Sequence, residues 1–303
     1  LYTVSIVALN LISTSFNWKG LRVQTNGILV MSLNTADCLM AIYLMFILLM
    51  DIIWRGQVAY IAIVWKFSLS CRVCGLFMTI SILLSKIITC VLAVDRFMCF
   101  VLNPYLRNGM NKKHAIAATL AAYAVATTLV VLSVPYSTYI KNSICLALGK
   151  SITKSLSITY ATITLILLSV VITLNIAIVS KFIRVDKLQK TSGHFHNKAV
   201  AHVVLVILTN ITSSIALATL SFTALLPKSF SPAVEANFAL LFFPCFSCCN
   251  PIIYSLMSTN FWNNIKSELF IHKCKLLIFK AWQWLCKYSH FKDSLTLFSG
   301  RFH

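Results

Sequence analysis

The chain has 303 residues, of which 59% are hydrophobic and only 11% charged, and its mean hydropathy is +0.84. Soluble chains carry roughly 25% charged residues, so a water-soluble globular domain does not fit, and a disordered segment fits even less. The net charge of +19 is spread between long uncharged runs rather than gathered into a stripe, which argues against nucleic acid as a partner. The composition is that of a polytopic membrane protein.

Runs of about 20 mainly apolar residues mark helices able to cross a bilayer. In chain order they fall at residues 1–16, 27–50, 70–102, 114–137, 156–180, 199–226 and 233–257, which predicts an all-α bundle of seven transmembrane helices over 1–257. The first run is short. At about 1.5 Å per residue it reaches only ~24 Å against a ~30 Å hydrocarbon core, so we expect this helix to begin ahead of Leu1. With the N-terminus outside, the cytoplasmic segments hold 18 Lys and Arg residues and the outer loops hold 6. That asymmetry obeys the positive-inside rule and points to a multi-pass membrane protein with its N-terminus outside.

Residues 258–303 form a cytoplasmic tail. Phe261, Trp262, Ile265, Leu269 and Phe270 share one helical face, the pattern of a short interfacial helix on the inner leaflet. Farther on, Lys273–Lys292 mixes cations with Phe279, Trp282, Trp284 and Tyr288, a composition suited to anionic lipid. Cys274 and Cys286 in this stretch are candidates for palmitoylation.

Ionisable groups inside a membrane are costly, so each is a functional candidate. Asp37 and Lys86 lie deep in apolar runs, and Asp95-Arg96 closes the inner end of the third. A carboxylate at the depth of Asp37 needs hydrogen-bond donors, a cation or a proton. Asn250 precedes the helix-breaking Pro251, which frees backbone carbonyls in the last span. Asp37, Ser85, Ser247 and Asn250 together suit a hydrated sodium ion; a protonated, hydrogen-bonded Asp37 is the equal alternative. Lys86, beside Ser85, either pairs with Asp37 in place of a sodium ion or faces a water-filled cavity.

Asp37 in the second span, Asp95-Arg96-Phe97 ending the third and Asn250-Pro251-Ile252-Ile253-Tyr254 ending the seventh resemble the rhodopsin class of G-protein-coupled receptors. A finer likeness runs through Asp37-Cys38-Leu39-Met40, Tyr43-Leu44, Arg55-Gly56-Gln57, Trp65, Cys71-Arg72 and Gly75, with Ser258-Thr259-Asn260-Phe261 after the last span. These resemble the leucine-rich-repeat-containing receptors, the relaxin receptors most of all. The resemblance implies a disulfide between Cys71 and Cys145. It implies that Arg96 is held inward beside Asp95 at rest, and that an outward swing of the sixth span exposes it to a heterotrimeric G protein. Asp95, Arg96, Asn250, Pro251 and Tyr254 would carry coupling, and an extracellular peptide or protein, relaxin-like in the first instance, would be the ligand.

The chain also departs from that pattern. Ser213-Ser214-Ile215-Ala216 stands where the relaxin receptors have Cys-Trp-Ile-Pro, so the sixth span lacks its kinking proline. Asn210 replaces an acidic residue, Leu83 a glutamate and Phe246 an asparagine that often joins the cation site. Two alternatives follow: a transporter or channel using Asp37 and Lys86 as a polar relay, or a divergent receptor-like chain that does not signal. Cys71-Arg72-Val73-Cys74 has zinc-like spacing but stands alone. No nucleophile–base pairing, zinc helix or phosphate-cradling glycine loop appears, so no enzymatic activity is expected.

Overall fold

The computed structural model describes residues 25–53, 65, 68–102, 109–133, 145, 153–189, 204–219, 240, 242–251 and 253. Among these the regular structure is entirely helical. We label the helices α1 (Thr25–Ile53), α2 (Leu69–Phe97), α3 (Lys112–Ser133), α4 (Thr153–Gln189), α5 (Val204–Thr219) and α6 (242–251). Gly27–Met50, Leu69–Leu102, Lys112–Leu132 and Ala161–Arg184 are each long and apolar enough to cross a bilayer. They lie at the second to fifth spans read from the sequence. The first span, the interfacial helix and the tail with Cys274 and Cys286 lie outside the described residues.

Lipid offers no hydrogen bonds, so hydroxyls in these helices seek partners inside the protein, and Thr119 is a buried hydroxyl that has none. Many bond to the carbonyl one turn back, as Ser32 does to Ile28, Thr35 to Met31 and Thr79 to Gly75. The start of α2 is capped by Ser68, whose hydroxyl accepts the Cys71 N–H at 3.2 Å and donates to the Trp65 carbonyl. Trp65 is thereby held under the outer end of the bundle, with its ring stacked 6.5 Å from Phe46.

Two apolar clusters make up the interior. The outer one gathers Met40, Tyr43, Leu44, Trp65, Cys74, Met78 and Phe243 with the cystine sulfurs, and the inner one Leu29, Leu33, Leu84, Ile88, Leu92, Ala122, Val130, Val206 and Ile253. Between them runs a polar layer at the level of Asp37. Tertiary hydrogen bonds cross it: the buried Ser81 hydroxyl donates to the Ala36 carbonyl at 2.7 Å, tying α2 to α1. The Tyr123 hydroxyl reaches the Ser32 carbonyl from α3 at 3.4 Å. The outward face is apolar instead: Leu120 and Leu132 on α3 are each 64% exposed. Water would not tolerate that arrangement, and lipid tails favour it.

Two departures from the expected spans have local causes. The sequence assigns 181–198 to a charged inner loop, yet α4 continues to Gln189. No glycine or proline interrupts residues 153–189, and Lys, Arg, Leu and Gln all favour helix. At 37 residues the helix reaches about 55 Å, so it is longer than a hydrocarbon core and its charged end runs past the apolar span Ala161–Arg184. At the inner end of α2 the helix widens into a π-turn over Met98–Leu102. Phe100 in that turn packs on Phe182 of α4, with ring centres 5.3 Å apart.

Cys71 and Cys145 form the disulfide that the resemblance implies, with Cα atoms 5.2 Å apart. Cys145 takes a left-handed backbone, φ 58°, uncommon outside glycine. The bond ties the outer loop to the top of α2 across 74 residues of chain. Loop-closure entropy for that length is about 4–5 kcal/mol, an upper bound where the opened chain stays in the membrane. Cys71→Ser and Cys145→Ser should therefore lower thermal stability equally, and the double change should be no worse than either, because one bond is shared. Unequal or additive losses in thermal unfolding would show that the two sulfurs act separately.

Candidate functional site

The polar layer holds the first site. Asp37, 1% exposed in the middle of α1, cannot be left without donors at that depth. Asn250 supplies one group from α6: its Nδ2 donates to both Asp37 oxygens at 3.2 and 3.3 Å. The same nitrogen lies 3.4 Å from the Ser85 hydroxyl of α2. Ser247, one turn before Asn250, adds a hydroxyl bond to Asp37. The placement follows from helical spacing: Ser247 and Asn250 are three apart and share a face. Four of the residues predicted for this site therefore meet, drawn from three helices.

The fifth, Lys86, takes other partners. Its ammonium donates to the Ser213 hydroxyl, to the Ser214 hydroxyl at 3.1 Å and to the Asn210 carbonyl at 3.5 Å, all on α5. Asp37 turns to α6 and Lys86 to α5, so the expected Asp37–Lys86 pair does not form. Ser85 and Lys86 are consecutive on a helix, about 100° apart around its axis, and one side chain cannot follow the other. The second alternative for Lys86 describes it better. It lines a chamber of about 40 Å³ with Ser85, Asn210, Ser213, Ser247 and Asn250. At roughly 10–15 Å³ for each water centre, that is room for a few waters. The oxygen donors of Asp37, Ser85 and Ser247 are of the kind an alkali cation takes, and Ser85 and Ser247 share the chamber wall with the ammonium.

Ser213 and Ser214, read from the sequence only as a loss of the tryptophan–proline pattern, are thus the acceptors of a half-buried ammonium. Asn210 keeps its side chain on its own helix, donating to the Val206 carbonyl at 2.8 Å. Asn175 does the same on α4, to Val171.

The second site is the inner end of α2. Asp95 is 6% exposed and accepts the Met110 backbone N–H at 2.7 Å. This contact, which the sequence reading missed, fastens the third span to the segment leading into α3. It requires Gly109: a Cβ there would stand 2.6 Å from the Asp95 Oδ1 and 3.2 Å from its Cγ. Arg96 follows in the last turn of the helix. Pro251 continues α6 and is buried, whereas Tyr254, the remaining predicted coupling residue, lies outside the described residues.

Asp95→Ala would leave the Met110 N–H without its carboxylate, and Gly109→Ala would push that carboxylate away. Each should lower stability by about 1–2 kcal/mol, the cost of an unmet buried hydrogen bond, and the pair should be no worse than the larger single loss. Thermal unfolding of the two single variants and the double checks this; additive losses would separate Gly109 from Asp95.

Comparison with known proteins agrees with this architecture. A model of the 7 transmembrane receptor (rhodopsin family) matches residues 9–254. The lutropin-choriogonadotropic hormone receptor of Sus scrofa is 26% identical over 268 residues, covering 86% of this chain and 38% of that protein. The thyrotropin receptor of Felis catus is 24% identical over 239 residues, 78% of this chain and 31% of its own length. Relaxin receptor 2 of Canis lupus familiaris is 24% identical over 273 residues, 85% and 36%. The chain thus spans little more than a third of these curated relatives. Because the family match runs from ahead of α1 to the end of the last span, taking in Asp37, Asp95-Arg96 and Asn250-Pro251, the chain belongs to the rhodopsin family of seven-transmembrane receptors.

Proposed function

We propose that this receptor carries an extracellular peptide or protein hormone signal across the plasma membrane to heterotrimeric G proteins, with its N-terminus outside. The docking of Asp95 onto Met110 carries the reading. It fastens the end of the third span to the segment leading into α3, and with the N-terminus outside, the adjacent Arg96 would stand at the cytoplasmic mouth of the bundle. Around that mouth the inner segments are rich in Lys and Arg, a field that draws an acidic, membrane-apposed partner. Relatives named for lutropin, thyrotropin and relaxin support a hormone as ligand, and a relaxin-like peptide is the first class to test.

In this mechanism two states differ in the position of α5, and ligand on the outside biases them. With α5 inward, Arg96 is covered. With its inner end outward, the guanidinium meets the C-terminal helix of the G protein. The basic and aromatic composition of residues 258–303 suits the anionic inner leaflet, the layer in which a membrane-apposed partner would be met.

The chain in lipid nanodiscs should form a complex with a nucleotide-free heterotrimeric G protein that added guanosine triphosphate analogue dissolves. Arg96→Ala should weaken that complex roughly tenfold or more, since charged hydrogen bonds contribute about 1.5–3 kcal/mol, without removing the protein from the membrane. A complex indifferent to Arg96, or none with stimulatory or inhibitory heterotrimers, would overturn the coupling.

A further inference from the structure

The Lys86 ammonium lines the chamber that adjoins the polar groups around Asp37. Its ammonium rests on Ser213, Ser214 and the Asn210 carbonyl, and it shares the chamber wall with Ser85, Ser247 and Asn250. The last three of these residues also surround Asp37. The layer therefore contains one carboxylate, held by Asn250 and Ser247, and one ammonium, held on α5, and the two are not paired directly. A sodium ion added there would leave a net charge of +1 in a chamber of about 40 Å³ walled by Met40, Ile82 and Phe243.

Magnitude decides between the two cations. Two unit positive charges about 6 Å apart, at an effective dielectric of about 20, repel strongly enough to lower an affinity on the order of 100-fold. Sodium must also surrender water to enter, whereas Lys86 is already delivered by its helix and already hydrogen-bonded. Phe246 adds to the effect by lining the chamber with a ring where the family pattern supplies an amide.

We propose that Lys86 is a tethered cation that takes the place of a diffusible sodium ion in this receptor, so that the Asp37 cluster is insensitive to sodium while the lysine is present. The proposal concerns the chamber alone and holds whether or not the chain couples to a G protein.

Thermal unfolding of the full chain in nanodiscs tests it, with sodium chloride exchanged for choline chloride at constant ionic strength. The parent should show no sodium-specific shift. Lys86→Met should show a saturable stabilisation by sodium, with apparent affinity on the order of 100-fold above the parent's, and Asp37→Asn in that background should remove it. Lys86→Gln, which keeps a hydrogen-bonding head for Ser213 and Ser214 but loses the charge, gives the same reading should the methionine variant fail to fold. A sodium-specific shift in the parent that Asp37→Asn abolishes would overturn the proposal. A folded Lys86→Gln protein as indifferent to sodium as the parent would overturn it too.

Discussion

Asp37 sits near the middle of a predominantly apolar helix, with lipid rather than water outside the bundle. Its burial constrains everything around it. A carboxylate there demands donors from other helices, because its own helix has already committed its N–H groups to the backbone ladder. Asn250 and Ser247 meet the demand from α6, and Ser85 of α2 joins through the Asn250 amide. The Ser81 bond to the Ala36 carbonyl, one residue before Asp37, holds α2 close enough for that contact. Apolar packing above and below is non-directional. The polar layer supplies the directional contacts that set which faces of α1, α2 and α6 meet.

The same logic recurs at the inner end of α2, with a different partner. Asp95 is buried against a backbone N–H rather than a side chain, and the contact is close because Gly109 lets the chain approach. The π-turn that follows turns Phe100 onto Phe182. Within two turns of helix, α2 is therefore tied to the start of α3 by one hydrogen bond and to α4 by an aromatic pair. Span three is the shared wall of the bundle, and both polar sites lie along it.

The spans were legible in the sequence because lipid forces apolar residues into continuous runs, and the helix Gly27–Met50 has the same bounds as the run read there. Asp37, Ser85, Ser247 and Asn250 were legible as a group, since each is a polar residue in an apolar helix and such residues seek one another. The disulfide was legible only through resemblance. What stayed hidden depends on helix rotation and loop backbone. Ser213 and Ser214 are small, weakly polar residues whose importance appears only once α5 is seen to turn them towards Lys86. Gly109 and Met110 act through a missing side chain and a main-chain N–H, neither of which leaves a pattern to read. The extension of α4 to Gln189 was obscured by charge: Lys181, Arg184 and Lys187 mark where the membrane ends and not where the helix does.

These contacts also bear on how α5 moves. A proline would remove one backbone hydrogen bond and give the helix a place to bend. Here Ser213-Ser214-Ile215-Ala216 is continuous helix, and each hydroxyl that bonds to the backbone does so within the helix, as Thr212 does to Leu208 and Ser213 to Asn210. Within the described residues 204–219 no proline gives this helix such a place to bend. Lys86 grips it at Asn210, Ser213 and Ser214. A pivot at the grip would let the inner end move outward while the ammonium keeps its partners, and a translation would break all three contacts together. The three contacts of Lys86 thus fasten the third span to the described part of α5 near its middle.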